Sequence, residues 1–197
     1  GQVCISDRLK TNPAAVELLD GTVLAAARDH ATYSKLADLL PTIDGEPAQA
    51  VLYVDWFAED VASLEASMSR ADEFLPDVGV RRCLHGEEQA ALWRLRKVGL
   101  GLILTGDEHG HPVGGLEDCA VPPEKLAAFQ CDFEAMLAVH GLSATYYAHA
   151  RVGLLHIRPR IDLHTPAGRA VLEQLAHEAT ALVQQYGGTV SGEHGDG

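Results

Sequence analysis

Two histidines, His149 and His156, stand seven residues apart in the stretch "YYAHARVGLLHIRP", residues 146–159. The flanks are rich in aromatic and β-branched side chains, so the stretch reads as a β-hairpin. A turn centred on Val152–Gly153, or a four-residue loop over 151–154, sets His149 directly opposite His156. Opposed side chains share a face with Cβ atoms about 4.5–5.5 Å apart. Two imidazoles so placed can clasp one divalent ion, with bonds of about 2.0–2.1 Å if the ion is zinc. With ten histidines in the chain, chance pairing is the commoner reading of spacing alone. A third ligand would change that balance.

The stretch "SGEHGDG", residues 191–197, offers one: Glu193, on a loop whose glycines permit unusual backbone angles. Two histidines plus a carboxylate, with a position left open, is the donor set of a catalytic divalent site. His194 is next door and suits a general base near neutral pH. Spacing does not by itself bring residue 193 to residue 149. An alternative that the residues also fit is a stand-alone divalent-metal-binding module. They also fit a small metallohydrolase that uses His149, His156 and Glu193 around an activated water.

The elements that must position these groups can be read from periodicity. Asp20 caps a helix to about residue 30, with Val23, Leu24 and Ala27 on one face. Residues 48–57, "AQAVLYVDWF", alternate as a strand. Val61, Leu64, Met68, Ala71 and Leu75 form one helical stripe, and a further helix covers 87–98. The apolar run "LGLIL" (100–104) and "PVGGLEDCAVP" (112–122) read as strands. A helix starts near Pro123 with Leu126, Phe129, Phe133 and Met136 inward, and Gly141 stops it. After the hairpin, Thr165 and Pro166 open a last helix that Gly187 closes, and "GTVS" reads as a final short strand. Neighbouring strands joined by turns predict an α+β domain, an antiparallel or mixed sheet with helices packed mainly on one face.

The chain has 197 residues, 47% of them apolar and 22% charged, which suits one domain over 1–197 with a real core. Its formal net charge of −13 argues against a nucleic-acid partner. No run of eighteen apolar residues predicts a membrane span, and residues 1–10 do not read as a signal peptide. Four cysteines without a CxxC pair suggest a reducing compartment. A cytoplasmic location is expected, with a peripheral place on the inner membrane as the variant for a larger parent enzyme.

The pattern "HARVGLLHIRP" followed by "GGTVSGEHGDG" resembles the C-terminal substrate (cap) domain of FAD-linked oxidases and dehydrogenases. These include the D-lactate, D-2-hydroxyglutarate and glycolate dehydrogenase type. "AVELLDGTVL" (15–24), "ALWRLRK" (91–97) and "LEDCAVPPEKLAAF" (116–129) are similar to further signatures in the right order. The hairpin is similar to the "HASVGCLHIRP" form of long bacterial flavoproteins fused to an iron–sulfur module. It departs from the commoner HxGDGNLH form at Val152 and Leu154. The resemblance implies His149, His156 and Glu193 as metal ligands, His194 as the base that removes the substrate hydroxyl proton, and Arg96 as the receptor of the substrate carboxylate. Without it, Arg96 reads as a solvated charge on a helix face. The implied reaction is FAD-dependent oxidation of a D-2-hydroxy acid, with hydride transfer to flavin. The implied cofactors are FAD, a divalent metal with zinc expected, and an iron–sulfur cluster in the parent. No glycine-rich pyrophosphate cradle or cysteine cluster occurs here. The chain therefore reads as a piece of a larger flavoenzyme, whose FAD domain and iron–sulfur module would be its partners.

Overall fold

The computed structural model describes residues 11–73, 78–104 and 111–195. Leu75 of the expected helical stripe lies outside them. The centre is an antiparallel sheet built from β1 (Ala15–Asp20), β4 (Ala50–Asp55), β5 (His111–Pro112), β6 (Leu116–Ala120), β7 (Ala144–His149) and β8 (Leu154–Ile161). Its order is β4-β1-β7-β8, and the far edge of β8 pairs with β6 along one stretch and β5 along another. A two-stranded ribbon, β2 (Thr42–Ile43) and β3 (Glu46–Pro47), turns at Asp44 and Gly45, both at positive φ.

The expected α+β class is what the structure has. Strand alternation sorts side chains to two faces. Val16, Ala148, Leu155 and Ile157 go to one face. There they meet Leu126, Phe129, Phe133 and Leu137 of α5 (Leu126–Val139) and Leu175, Ala179 and Val183 of α6 (Pro166–Gln185). This is the larger core. The other face is covered over part of its area by α1 (Gly21–Asp29), α2 (Ser34–Ala37) and α4 (Gly86–Ile103), through Leu19, Val23, Leu24 and Leu95. The remaining helix, α3 (Val61–Asp72), exposes most of its surface and buries Ala71.

The expected caps are present. The Asp20 carboxylate accepts the Val23 N–H at 3.0 Å, and Thr165 accepts from Gly168 at 3.0 Å. Asp20 also accepts the Tyr146 N–H at 2.7 Å, tying the start of α1 to β7.

Four readings need correction. Residues 100–103 continue α4 rather than forming a strand. Leu92, Leu95, Leu102 and Ile103 keep helical spacing toward the second core, and an apolar run alone cannot tell strand from helix. "GTVS" contributes a single bridge, Thr189 to Ala120, not a strand. Ala15–Asp20, recognised above only as a signature, is a central strand. The hairpin register is also two residues from the expected one, since His156 pairs with Tyr147 and His149 with Leu154. The loop is Ala150–Gly153, because Gly153, at φ +75°, is the left-handed residue that closes it. A shift of two keeps every side chain on its face.

A Cβ on Gly153 would lie 1.8 Å from the Val121 carbonyl oxygen, and the Gly153 carbonyl accepts the Val121 N–H at 3.0 Å. Gly153→Ala is therefore expected to cost about 1–3 kcal/mol from backbone strain alone, with the clash adding to it. Thermal unfolding measures this as a lowered Tm. An unchanged Tm would show that the turn is not held against Val121.

Candidate metal centre

Three neighbouring strands present one face to a common point. His149 on β7 is paired in register with Glu17 on β1, while His156 on β8 lies diagonal to it beside Tyr147. The imidazole rings of His149 and His156 meet edge to face at 5.1 Å between centroids. Each ring is held at Nδ1. His149 Nδ1 sits 2.8 and 2.9 Å from the two Glu17 carboxylate oxygens. His156 Nδ1 donates to the Glu117 backbone carbonyl. Both Nε2 atoms therefore point to the same side, where Glu193 Oε1 lies 3.6 Å from His149 Nε2 and 3.4 Å from His156 Nε2.

His156 is 2% exposed, and its Nε2 is buried without a hydrogen-bond partner. A buried polar atom left in this state is costly unless something occupies its lone pair. Burial, foremost, lowers the His156 pKa. The backbone carbonyl of Glu117 and the carboxylate of Glu193 act against that shift, and His149 and His194 add to it. A neutral imidazole with a free Nε2 is the form that binds a metal. The ligand atoms of His149, His156 and Glu193 all lie within 4.8 Å of one another. The donor set and the anchored Nδ1 atoms fit a divalent ion whose ligands are oriented by outer hydrogen bonds. Asp118, Glu193 and His194 form a second cluster of the same span, but the Asp118 oxygens are already used in holding a loop.

That loop delivers Glu193. Gly187, at φ +74°, closes α6 as expected, the Gly188 N–H donates to the Val183 carbonyl at 2.9 Å, Thr189 bridges to Ala120, and the Gly192 N–H donates to the Asp118 carbonyl at 3.0 Å. The Asp118 carboxylate then accepts the backbone N–H groups of Glu193 and His194, each at 3.0 Å. His194 is brought to the open side of the cluster. Its ring is stacked near His156 at 5.9 Å, its Nε2 is 3.6 Å from Glu193 Oε1, and its Nδ1 is 3.9 Å from Asp118 Oδ1.

Arg96 reaches the same neighbourhood from α4, and it is not a solvated helix-face charge. Its Nε and Nη2 donate to Glu17 Oε2 at 3.1 and 2.7 Å. Its guanidinium carbon lies 5.1 Å from the centre of the Tyr147 ring, and that ring stacks on the His156 ring at 4.2 Å. Sequence reading brought out His149, His156, Glu193, His194 and Arg96, and all five converge here. It passed over Glu17 and Asp118. The available signal was an acid inside an otherwise apolar segment, "AVELL" and "LEDCAV", since a charge in a half-buried strand needs a partner.

Residues 3–197 match the family described as FAD linked oxidases, C-terminal domain. The chain belongs to that family. It is 30% identical over 194 residues to a protein of Pantoea ananatis named D-2-hydroxyglutarate dehydrogenase, covering 93% of this chain and 19% of that one. A protein of the same name from Escherichia coli is 29% identical, with 93% of this chain and 19% of that one covered. The glycolate oxidase subunit GlcD of Bacillus subtilis is 28% identical, with 95% and 38% covered. The chain thus spans about a fifth of the length of the dehydrogenases it matches. Among the described residues no helix is long and apolar enough to cross a membrane.

Burial raises the Asp118 pKa, but the N–H groups of His194 and Glu193 and the Ser191 side chain outweigh it, and the carboxyl is held below its usual range. A depressed carboxyl stabilises the fold fully above its unfolded pKa of about 3.9. That contribution is lost as pH falls through the lower folded value. The protection of the Glu193 and His194 amides from hydrogen exchange, relative to the unfolded chain at the same pH, should be level from about pH 5 upward and fall in stronger acid. Asp118→Asn keeps one acceptor and turns a donor toward the other N–H. It should cost the loop about 1–3 kcal/mol of protection at neutral pH. Unaltered exchange would mean that Asp118 does not hold the loop.

Proposed function

We propose that this chain is the substrate- and metal-binding part of an FAD-dependent dehydrogenase that oxidises a D-2-hydroxy acid to the 2-oxo acid. The observation that carries this reading is the meeting of His149 Nε2, His156 Nε2 and Glu193 Oε1 beside His194, in a chain of this family. His149, His156 and Glu193 hold a divalent metal, with zinc the ion that suits two imidazoles and a carboxylate. Bound there, the ion supplies a Lewis acid for the hydroxyl and carboxylate oxygens of the acid. His194 takes the hydroxyl proton at Nε2, while its Nδ1 lies 3.9 Å from Asp118 Oδ1 on the other side of the ring. FAD, bound outside this chain, supplies the acceptor for the hydride. Arg96 meets the substrate carboxylate while its Nε edge is held by Glu17.

The test is a panel of D-2-hydroxyglutarate, D-lactate and glycolate with a dye acceptor, on the full-length protein. Turnover of a D-2-hydroxy acid with flavin bleaching supports the reading, and inertness to all three counts against it. Arg96→Lys in that protein keeps the charge and loses the planar fork. It is expected to lower kcat/KM by about 2–4 kcal/mol of transition-state binding. Unchanged kinetics would remove Arg96 from substrate recognition.

A further inference from the structure

We propose that Glu17 is a positioning residue that sets two functional side chains at once, the metal ligand His149 and the carboxylate receptor Arg96, so that metal occupancy and substrate binding share one support. The proposal rests on the site reading given above.

Glu17 sits on β1, paired in register with His149, and its side chain is 11% exposed. Its two oxygens accept from His149 Nδ1, and Oε2 accepts from two nitrogens of Arg96 as well. Both neighbours approach as donors. A carboxylate has only acceptors and can satisfy both, whereas an amide of the same shape offers one acceptor and one donor group. The proton that Glu17 holds on Nδ1 leaves the lone pair of His149 on Nε2, the atom that faces Glu193. The same carboxylate fixes the guanidinium over the Tyr147 ring, which stacks on the second histidine. Releasing Glu17 therefore loosens one ligand directly and removes the hold on Arg96, without replacing any side chain that itself meets substrate.

The experiment compares zinc affinity and D-2-hydroxyglutarate kinetics in the full-length protein. Zinc affinity is read by competition with a chromogenic chelator in the absence of substrate. Glu17→Gln should weaken zinc binding by about 10–100-fold, the usual loss for an outer partner of a ligating histidine. It should also raise KM for the acid when zinc is saturating. Arg96→Lys should raise KM and leave zinc affinity within about twofold, because it leaves the Glu17–His149 contact in place. Wild-type zinc affinity in Glu17→Gln, beside a clear loss in His149→Ala, would overturn the role of Glu17 and leave the metal reading standing. Wild-type affinity in His149→Ala would overturn the metal reading and this proposal together. If Glu17→Gln does not fold, Glu17→Asp keeps the charge but draws the carboxylate back by one methylene. It should show smaller losses of both kinds, and wild-type values in both would overturn the proposal.

Discussion

Alanine at both His149 and His156 is expected to leave the full-length protein without bound divalent metal. In the proposed site the two imidazoles are two of three ligands, and the third, Glu193, has a side chain 44% exposed on a loop. A lone exposed carboxylate competes poorly with water for a divalent ion. The two histidines are not equivalent structurally. His156 is buried and stacked on Tyr147, while the His149 side chain is 35% exposed. His149→Ala alone is therefore the cleaner probe of binding, and the double variant the more complete one. Elemental analysis of purified protein measures the result, and equal metal content in wild type and double variant would sink the assignment. The pH dependence has a definite sign. Because burial depresses the His156 pKa, its contribution to stability is full above the unfolded value of about 6.5 and is lost as pH falls through the lower folded value. Metal affinity should follow the same direction, level near neutrality and falling in acid as protons compete for Nε2.

His194→Ala is expected to slow reduction of the flavin by about 10²–10⁴-fold, the range for loss of a positioned general base. The substitution spares the rest of the site for a structural reason. Asp118 holds the loop through the backbone N–H groups of Glu193 and His194, and alanine keeps both. Metal and FAD content should therefore remain at wild-type levels while the chemistry slows. Stopped-flow bleaching of the flavin by D-2-hydroxyglutarate reads the rate directly. A variant that bleaches at the wild-type rate would remove His194 from the mechanism. One that loses metal as well would instead place His194 among the ligands.

Local chemistry in the sequence determined a good deal about this protein. Capping by Asp20 and Thr165, the stripes of α5 and α6 and the strand over 50–55 follow from interactions within a few residues. The histidine hairpin is equally local, and so is the presence of a Glu-His pair on a glycine-rich loop. The end of α4 was less legible, because the apolar run 100–103 fits two periods and the facing core at Val23 and Leu19 decides between them. The hairpin register depended on Gly153 docking against Val121, a contact from outside the hairpin.

The supports of the site belong to the tertiary structure. Glu17 is 132 residues from His149 and 79 from Arg96, and Asp118 is 75 from Glu193. None of these pairs has a periodic signature. They meet because β1 lies between β4 and β7, and because the loop after α6 runs back along β6. Strand order and packing of the chain decide such neighbours, and periodicity reports only which face a residue occupies. Sequence could thus name the candidate ligands, while the fold decided which acids hold them in place.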